Sequence, residues 1–137
     1  MDNIVLDTNC LIMALSSRNE YNQIWKSFLK GEYVLCVSNE ILEEYAEVMA
    51  RNISPLLSDY VVNTILERSN VRRIVPSYYW HLIEADPDDN KFVDCALSAN
   101  ATFIVTEDHH FSVLKGISFP HVDIVSIDDF LKILSAD

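Results

Sequence analysis

Read for spacing alone, the chain alternates two kinds of apolar segment. Five short runs, Asn3–Leu6, Tyr33–Val37, Val71–Val75, Thr102–Thr106 and Val122–Val125, are rich in Val and Ile and do not alternate polar with apolar residues. That pattern predicts parallel strands covered by helices on both faces. Between them lie segments with helical spacing. One covers 19–29, with Tyr21, Ile24, Trp25 and Phe28 on one face, and one covers 39–51, with Ser38 as its N-cap. A third covers 56–68, a fourth runs from Asp88 to Asn100, and the last covers 127–134, capped by Ser126 or Asp128. Strands alternating with helices predict an α/β fold with a mostly parallel sheet and right-handed crossovers. Thr8 and Asn9 read as a turn after the first strand. The 76–88 stretch reads as a short helix or an extended connection. Its cluster of Tyr78, Tyr79, Trp80, Leu82 and Ile83 is expected to be core rather than a platform for stacked bases.

Composition narrows this picture. A chain of 137 residues, half of them hydrophobic, is expected to fold as one domain over 1–137. Two glycines and four prolines argue against a β-sandwich. No apolar run approaches a membrane span, and the N-terminus leads straight into a strand, so neither membrane insertion nor a signal peptide is expected. The three cysteines, Cys10, Cys36 and Cys95, are widely spaced among apolar neighbours. They read as buried, reduced thiols in a cytoplasmic protein. A net charge of -11 disfavours a sequence-independent nucleic-acid coat protein. The charge is uneven, since residues 1–75 hold ten acids and seven bases, and residues 76–137 hold eleven acids and three bases.

Four acids stand where folding alone does not explain them. Asp7 ends the run Ile4-Val5-Leu6, and Asp108 follows Phe103-Ile104-Val105-Thr106. In open parallel sheets, ligands bind beyond the carboxyl ends of the strands, where strand order reverses. If the first and fourth strands are neighbours, these two carboxylates meet there. Helical angle, at about 100° per residue, nominates the other two. On the 39–51 helix Ile41, Leu42, Tyr45, Val48 and Met49 form the apolar face; Glu43 points away from it and Glu44 lies at its edge. On the later helix Asp89 falls near the centre of the face made by Phe92, Val93, Ala96 and Leu97, while Asp88 and Asp94 fall to the sides. Taken singly, Asp7 reads as a turn residue and Asp89 as a first-turn helix acid. Together, four inward carboxylates are poor for stability and suited to Mg²⁺ or Mn²⁺. Such ions polarise phosphoryl groups and activate water.

Competing motifs fail. An EF-hand register from Asp86 would need Gly where Lys91 stands and Glu where Leu97 stands. With only Gly31 and Gly116, no glycine-rich phosphate loop is available. A phosphatase with an aspartyl nucleophile would want Asp where Asn9 stands. His109 and His110 read as exposed loop histidines, either of which is within sequence reach of a metal held by Asp108.

With these residues in view, the chain resembles the PIN-domain family of metal-dependent ribonucleases. Val5-Leu6-Asp7-Thr8-Asn9 looks like that family's first motif, and Ser38 with Glu44-Tyr45 its second. Asp86-Pro87-Asp88-Asp89-Asn90-Lys91-Phe92 looks like the third, and Ile104-Val105-Thr106-Glu107-Asp108 the fourth. The resemblance spans positions 3 to 134 and is specific because all four are in order. It implies a three-layer α/β/α sandwich, Mg²⁺ or Mn²⁺ held by Asp7, Glu44, Asp89 and Asp108, and hydrolysis of RNA phosphodiesters. Asn9 and Thr106 would orient the ligands. The compact form is most similar to toxin components of prokaryotic toxin–antitoxin pairs, which implies a protein antitoxin as partner and leaves room for a homo-oligomer. Two departures stand out: Asp94, where some relatives carry an extra acid, and Glu107, which adds charge at the site mouth. The runner-up reading is a PIN-like protein-binding module with little catalysis.

Overall fold

The computed structural model describes residues 1–136. Strands β1 (Asn3–Leu6), β2 (Val34–Val37), β3 (Val71–Arg73), β4 (Phe103–Val105) and β5 (Asp123–Val125) form one sheet in the order β3-β2-β1-β4-β5. Every neighbouring pair is parallel. The helices are α1 (Thr8–Leu15), α2 (Asn22–Leu29), α3 (Asn39–Asn52), α4 (Pro55–Glu67), α5 (Asn90–Ala99) and α6 (Ile127–Ser135), with 3₁₀ segments at Pro87–Asp89 and His109–Gly116. Right-handed crossovers carry α1–α4 over one face as the chain steps from β1 out to β3. The return to β4 puts α5 on the other face. Helix α6 packs on α2, and its Phe130 meets Tyr33 and Phe103 edge-on at 5.2 and 5.6 Å. The result is the parallel α/β fold expected from the strand and helix pattern, arranged as the α/β/α sandwich that the resemblance implied.

Local chemistry accounts for the element boundaries. Ser38, Ser54 and Ser126 each accept a backbone N–H at the start of α3, α4 and α6, and Pro55 fills the first position of α4. Asn100 ends α5 in the left-handed conformation. The middle of the sheet is dry: Ile4, Val5, Leu35, Cys36, Val37, Ile104 and Val105 are all buried. Cys10, Cys36 and Cys95 are free and buried as well, and burial pushes all three thiols up.

Three expectations need correction. Thr8 and Asn9 do not form a turn; they begin α1, whose Thr8, Cys10, Leu11 and Ala14 face the core. The segment carries polar residues only in its first turn and runs on from an apolar strand, so its period is masked. The helix expected from 19 begins at Asn22. Residues 76–86 form the irregular connection, neither helix nor strand; Ile83 is core and Leu82 packs against that core, but the aromatic residues there are not core. Tyr78 and Tyr79 are 59% and 56% exposed, and Trp80 lies between Tyr78 and Phe119 at 4.7 and 6.1 Å.

That irregular segment is held by a polar stripe on α5. Asn90 clamps Ile83, accepting its N–H at 2.9 Å and donating to its carbonyl at 3.0 Å. One turn on, Asp94 Oδ1 accepts the N–H of Trp80 at 3.0 Å, and after another turn Ser98 Oγ accepts that of Ser77 at 3.1 Å. Spacing of four residues keeps the three side chains on one face. They give the segment the hydrogen bonds a sheet would otherwise supply.

Candidate active site

The site lies where strand order reverses, at the carboxyl ends of β1 and β4. Leu6 pairs with Val105, and the Asp7 N–H donates to the Val105 carbonyl at 3.0 Å, so Asp7 leaves the sheet beside the residues following β4. One hydroxyl ties the two strand-end acids together. Thr106 Oγ1 donates to Asp7 Oδ2 at 2.8 Å and accepts the N–H of Asp108 at 3.0 Å. Asp7 and Thr106 are both buried. Asp108 Oδ1 in turn accepts the N–H of His110 at 2.9 Å, which opens the His109–Gly116 segment.

Helix α3 brings Glu44. Tyr45, fully buried, donates its hydroxyl to the Leu6 carbonyl at 2.5 Å and pins the helix to the last residue of β1. Glu44, one position earlier, therefore faces the strand end while Glu43 is exposed. The Thr8 hydroxyl donates to Glu44 Oε2. Lys91 Nζ stands 2.7 Å from Glu44 Oε1 and 2.8 Å from Asp88 Oδ1. The fourth acid thus already has a cation, a partner that sequence distance hides.

Asp89 occupies the N-cap position of α5, yet its side chain makes no capping bond. It is not there as a helix acid. Its Oδ2 is buried without a hydrogen-bond partner, and so is the Nδ1 of His110, 3.8 Å away. Asp7, Asn9, Glu44, Asp89 and Asp108 all line one open cavity of about 390 Å³, together with Asp86 and Asp88.

A PIN domain family model matches residues 3–110. The chain belongs to the PIN domain family. Solved structures that share its fold include two VapBC assemblies. The VapBC2 structure from Rickettsia felis, bound to a DNA fragment from its promoter, superposes with a TM-score of 0.61 at 16% identity, covering 90% of this chain and 98% of that one. The DNA-bound VapBC of Salmonella typhimurium gives 0.58 at 18% identity, covering 93% and 99%. Among curated proteins, none matches the sequence. PIN domain proteins are typically nucleases, and such nucleases generally use divalent metals.

The electrostatics of this PIN domain follow from crowding the acids. Burial, and then the neighbouring charges of Asp108, Asp86 and Asp7, push the Asp89 carboxyl up to about 8. Burial also raises Asp7; the Thr106 hydroxyl opposes it, and Glu44 and Asp108 add repulsion. Asp88 goes the other way, held below the usual range by Lys91. Burial alone would pull the Lys91 ammonium down, but its contacts with Asp88 and Glu44 outweigh that and keep it raised. Without a cation the crowding therefore favours a proton on Asp89. An unpartnered buried carboxylate oxygen, an unpartnered imidazole nitrogen and surrounding carboxylates form a donor set that fits a divalent metal ion.

Three placements differ from the sequence reading. Asp94, expected at the side of α5, is buried, because α5 is covered by the sheet on one side and by the 76–86 segment on the other. Its bond to Trp80 makes it an anchor for that segment. Glu107 accepts the N–H of Ile127 at 3.0 Å and so ties β4 to the start of α6. Of the two histidines read as exposed, His109 is exposed and His110 turns inward. The signal for His110 was the residue two positions before it: an Asp after a strand that accepts an N–H two residues on folds the chain back on itself. Among the described residues no helix is long and apolar enough to cross a membrane.

Proposed function

We propose that this PIN domain, a single domain over the whole chain, is a divalent-metal-dependent endoribonuclease. Asp7, Glu44, Asp89 and Asp108 hold Mg²⁺ or Mn²⁺, and RNA phosphodiesters are the substrate. The observation that carries the reading is Asp89 Oδ2, buried and unpartnered among carboxylates at the switch point of the sheet. A bound divalent ion supplies phosphoryl polarisation and a more acidic water. The chain supplies position. Thr106 holds Asp7 and Asp108 in fixed register, so the two carboxylates need not reorganise when a cation arrives. Thr8 orients Glu44. Asn9, exposed on the same cavity, offers an amide donor to a phosphate oxygen. Lys91 offsets part of the negative charge an RNA backbone would otherwise meet.

The solved neighbours are VapBC assemblies, and on that likeness we place the chain as the toxin of a type II toxin–antitoxin pair, working in the cytoplasm with a protein antitoxin as partner. The strong negative charge supports a partner that carries Arg or Lys to the acidic cavity. A second reading, a protein-binding module with weak catalysis, draws on the Lys91–Glu44 pair, which satisfies one acid without any metal. Incubation of purified protein with labelled RNA and with a phosphomonoester, with and without Mn²⁺, separates the two. Metal-dependent RNA cleavage is the expected result. Cleavage of neither substrate would leave the binding module, and cleavage of the phosphomonoester alone would point to a phosphatase.

A further inference from the structure

His110 makes close approaches that no hydrogen bond explains. Its Nδ1 lies 3.2 Å from Asp108 Oδ1, 3.8 Å from Asp89 Oδ2 and 4.0 Å from Asp86 Oδ2. Yet Nδ1 is buried with no hydrogen-bond partner, as is the facing Asp89 Oδ2. Ligand atoms of Asp86, Asp89, Asp108 and His110 all lie within 4.8 Å of one another. Ligands about 2.1 Å from a shared ion stand roughly 3 to 4 Å apart, the range these three separations span. The backbone that carries the ring is held as well. The His110 N–H is held by Asp108, and the next residue, Phe111, is fully buried against Phe92.

We propose that His110 is itself a ligand of a divalent ion held by Asp86, Asp89 and Asp108 at the edge of the acidic cavity, and that it turns the site from Mg²⁺ toward a transition-metal ion such as Mn²⁺ or Co²⁺. The proposal rests on the reading of the cavity as a metal site and adds a nitrogen donor and Asp86 to it. Mg²⁺ binds oxygen ligands and keeps its waters, whereas imidazole suits Fe²⁺, Ni²⁺, Zn²⁺ and their neighbours in the first transition row, where affinity for a given site rises from Mn²⁺ through Co²⁺. A site of carboxylates alone would not make that distinction as strongly. The three carboxylates around His110 come from two parts of the chain: the Asp86–Asp89 turn before α5 and the end of β4.

The test uses the full chain stripped of metal by chelation. Mn²⁺ and Mg²⁺ are titrated by calorimetry into the wild type, His110→Ala, His110→Gln and, as a control at the far end of the sheet, His121→Ala. Pulsed electron paramagnetic resonance of the Mn²⁺-loaded proteins reports whether a nitrogen is bound to the ion. The expected result is nitrogen coupling in the wild type and in His121→Ala, and none in either His110 variant. Mn²⁺ affinity should fall about tenfold or more in the His110 variants, and Mg²⁺ affinity should fall less. Mn²⁺ bound to the wild type without nitrogen coupling, or equal losses for both ions, would overturn the role of His110 while leaving the acidic metal site intact. If neither ion binds the wild type, the metal-site reading falls and this inference with it. The nitrogen signal is read on the wild type, so the proposal stays testable even if a variant folds poorly.

Discussion

Lys91 Nζ lies 2.7 Å from Glu44 Oε1, with the lysine side chain only 10% exposed and the glutamate 21% exposed. The pair joins α5 to α3 across the cavity and also collects Asp88. A cluster of carboxylates without metal is self-repelling, and this one carries a resident cation on its rim. Lys91→Met would leave Glu44 with only the Thr8 hydroxyl, and Asp88 with no cation, beside the other acids. We expect a loss of about 1–3 kcal/mol in the metal-free protein. The loss should shrink when Mn²⁺ is present, because the ion takes over the missing charge. Melting temperatures with EDTA and with Mn²⁺ check this; equal losses in the two conditions would show that Lys91 acts independently of the acid cluster.

Glu44→Gln should severely impair RNA cleavage, and Glu43→Gln should be nearly silent. Neighbours in sequence, they differ in direction: Tyr45 pins α3 so that Glu44 faces the strand end and Glu43 faces water. A surface substitution of this kind costs within about 0.5 kcal/mol. Cleavage rates of the two variants with Mn²⁺ decide it, and equal effects would argue against a site role for Glu44.

Asp7→Asn should abolish RNA cleavage while leaving the metal-free melting temperature unchanged or higher. The amide keeps an oxygen for the Thr106 hydroxyl and removes one of the mutually repelling charges. Melting in EDTA and cleavage with Mn²⁺ are the two measurements. Full activity would remove Asp7 from the site, and a large loss of stability would make it a structural residue.

The metal-free protein should lose stability as pH rises from about 4 to about 8. Asp89 is the reason: burial and its acidic neighbours raise its folded carboxyl from 3.8 to about 8. A group raised on folding favours the folded state while it is protonated in both states. That contribution is complete below the unfolded value and is lost as pH climbs through the folded one. Asp89→Asn should flatten the slope of melting temperature against pH in EDTA. A wild-type slope that survives the substitution unchanged would assign the effect to other groups.

Asp94→Ala should cost about 1–3 kcal/mol by leaving the Trp80 N–H without its acceptor, and Asp94→Asn, which keeps an acceptor oxygen, should cost less than half as much. Both variants should bind Mn²⁺ as tightly as the wild type once folded. Chemical denaturation and calorimetry test the two halves separately. A loss of Mn²⁺ affinity in Asp94→Asn would place Asp94 with the metal ligands rather than with the 76–86 segment.

Five Val- and Ile-rich runs, the helices between them and the parallel α/β architecture were legible in the sequence, because burial on both faces leaves a continuous apolar signature. So was the nomination of Asp7 and Asp108, since both follow such runs and parallel sheets place their ligands there. Helical angle separated Glu44 from Glu43 because one apolar face of α3 meets the sheet. The same reasoning misplaced Asp94, because α5 has two buried sides and a single-face wheel assumes one. Helix α1 escaped because its polar first turn looks like the end of a strand. What only the tertiary structure decided was pairing over distance: Lys91 on Glu44, Thr106 between Asp7 and Asp108, and His110 turned back onto Asp89 and Asp86. Spacing along a chain reports which face a residue occupies. Which charges and hydrogen-bonding groups meet across two elements depends on how those elements dock, and docking is set by the whole core.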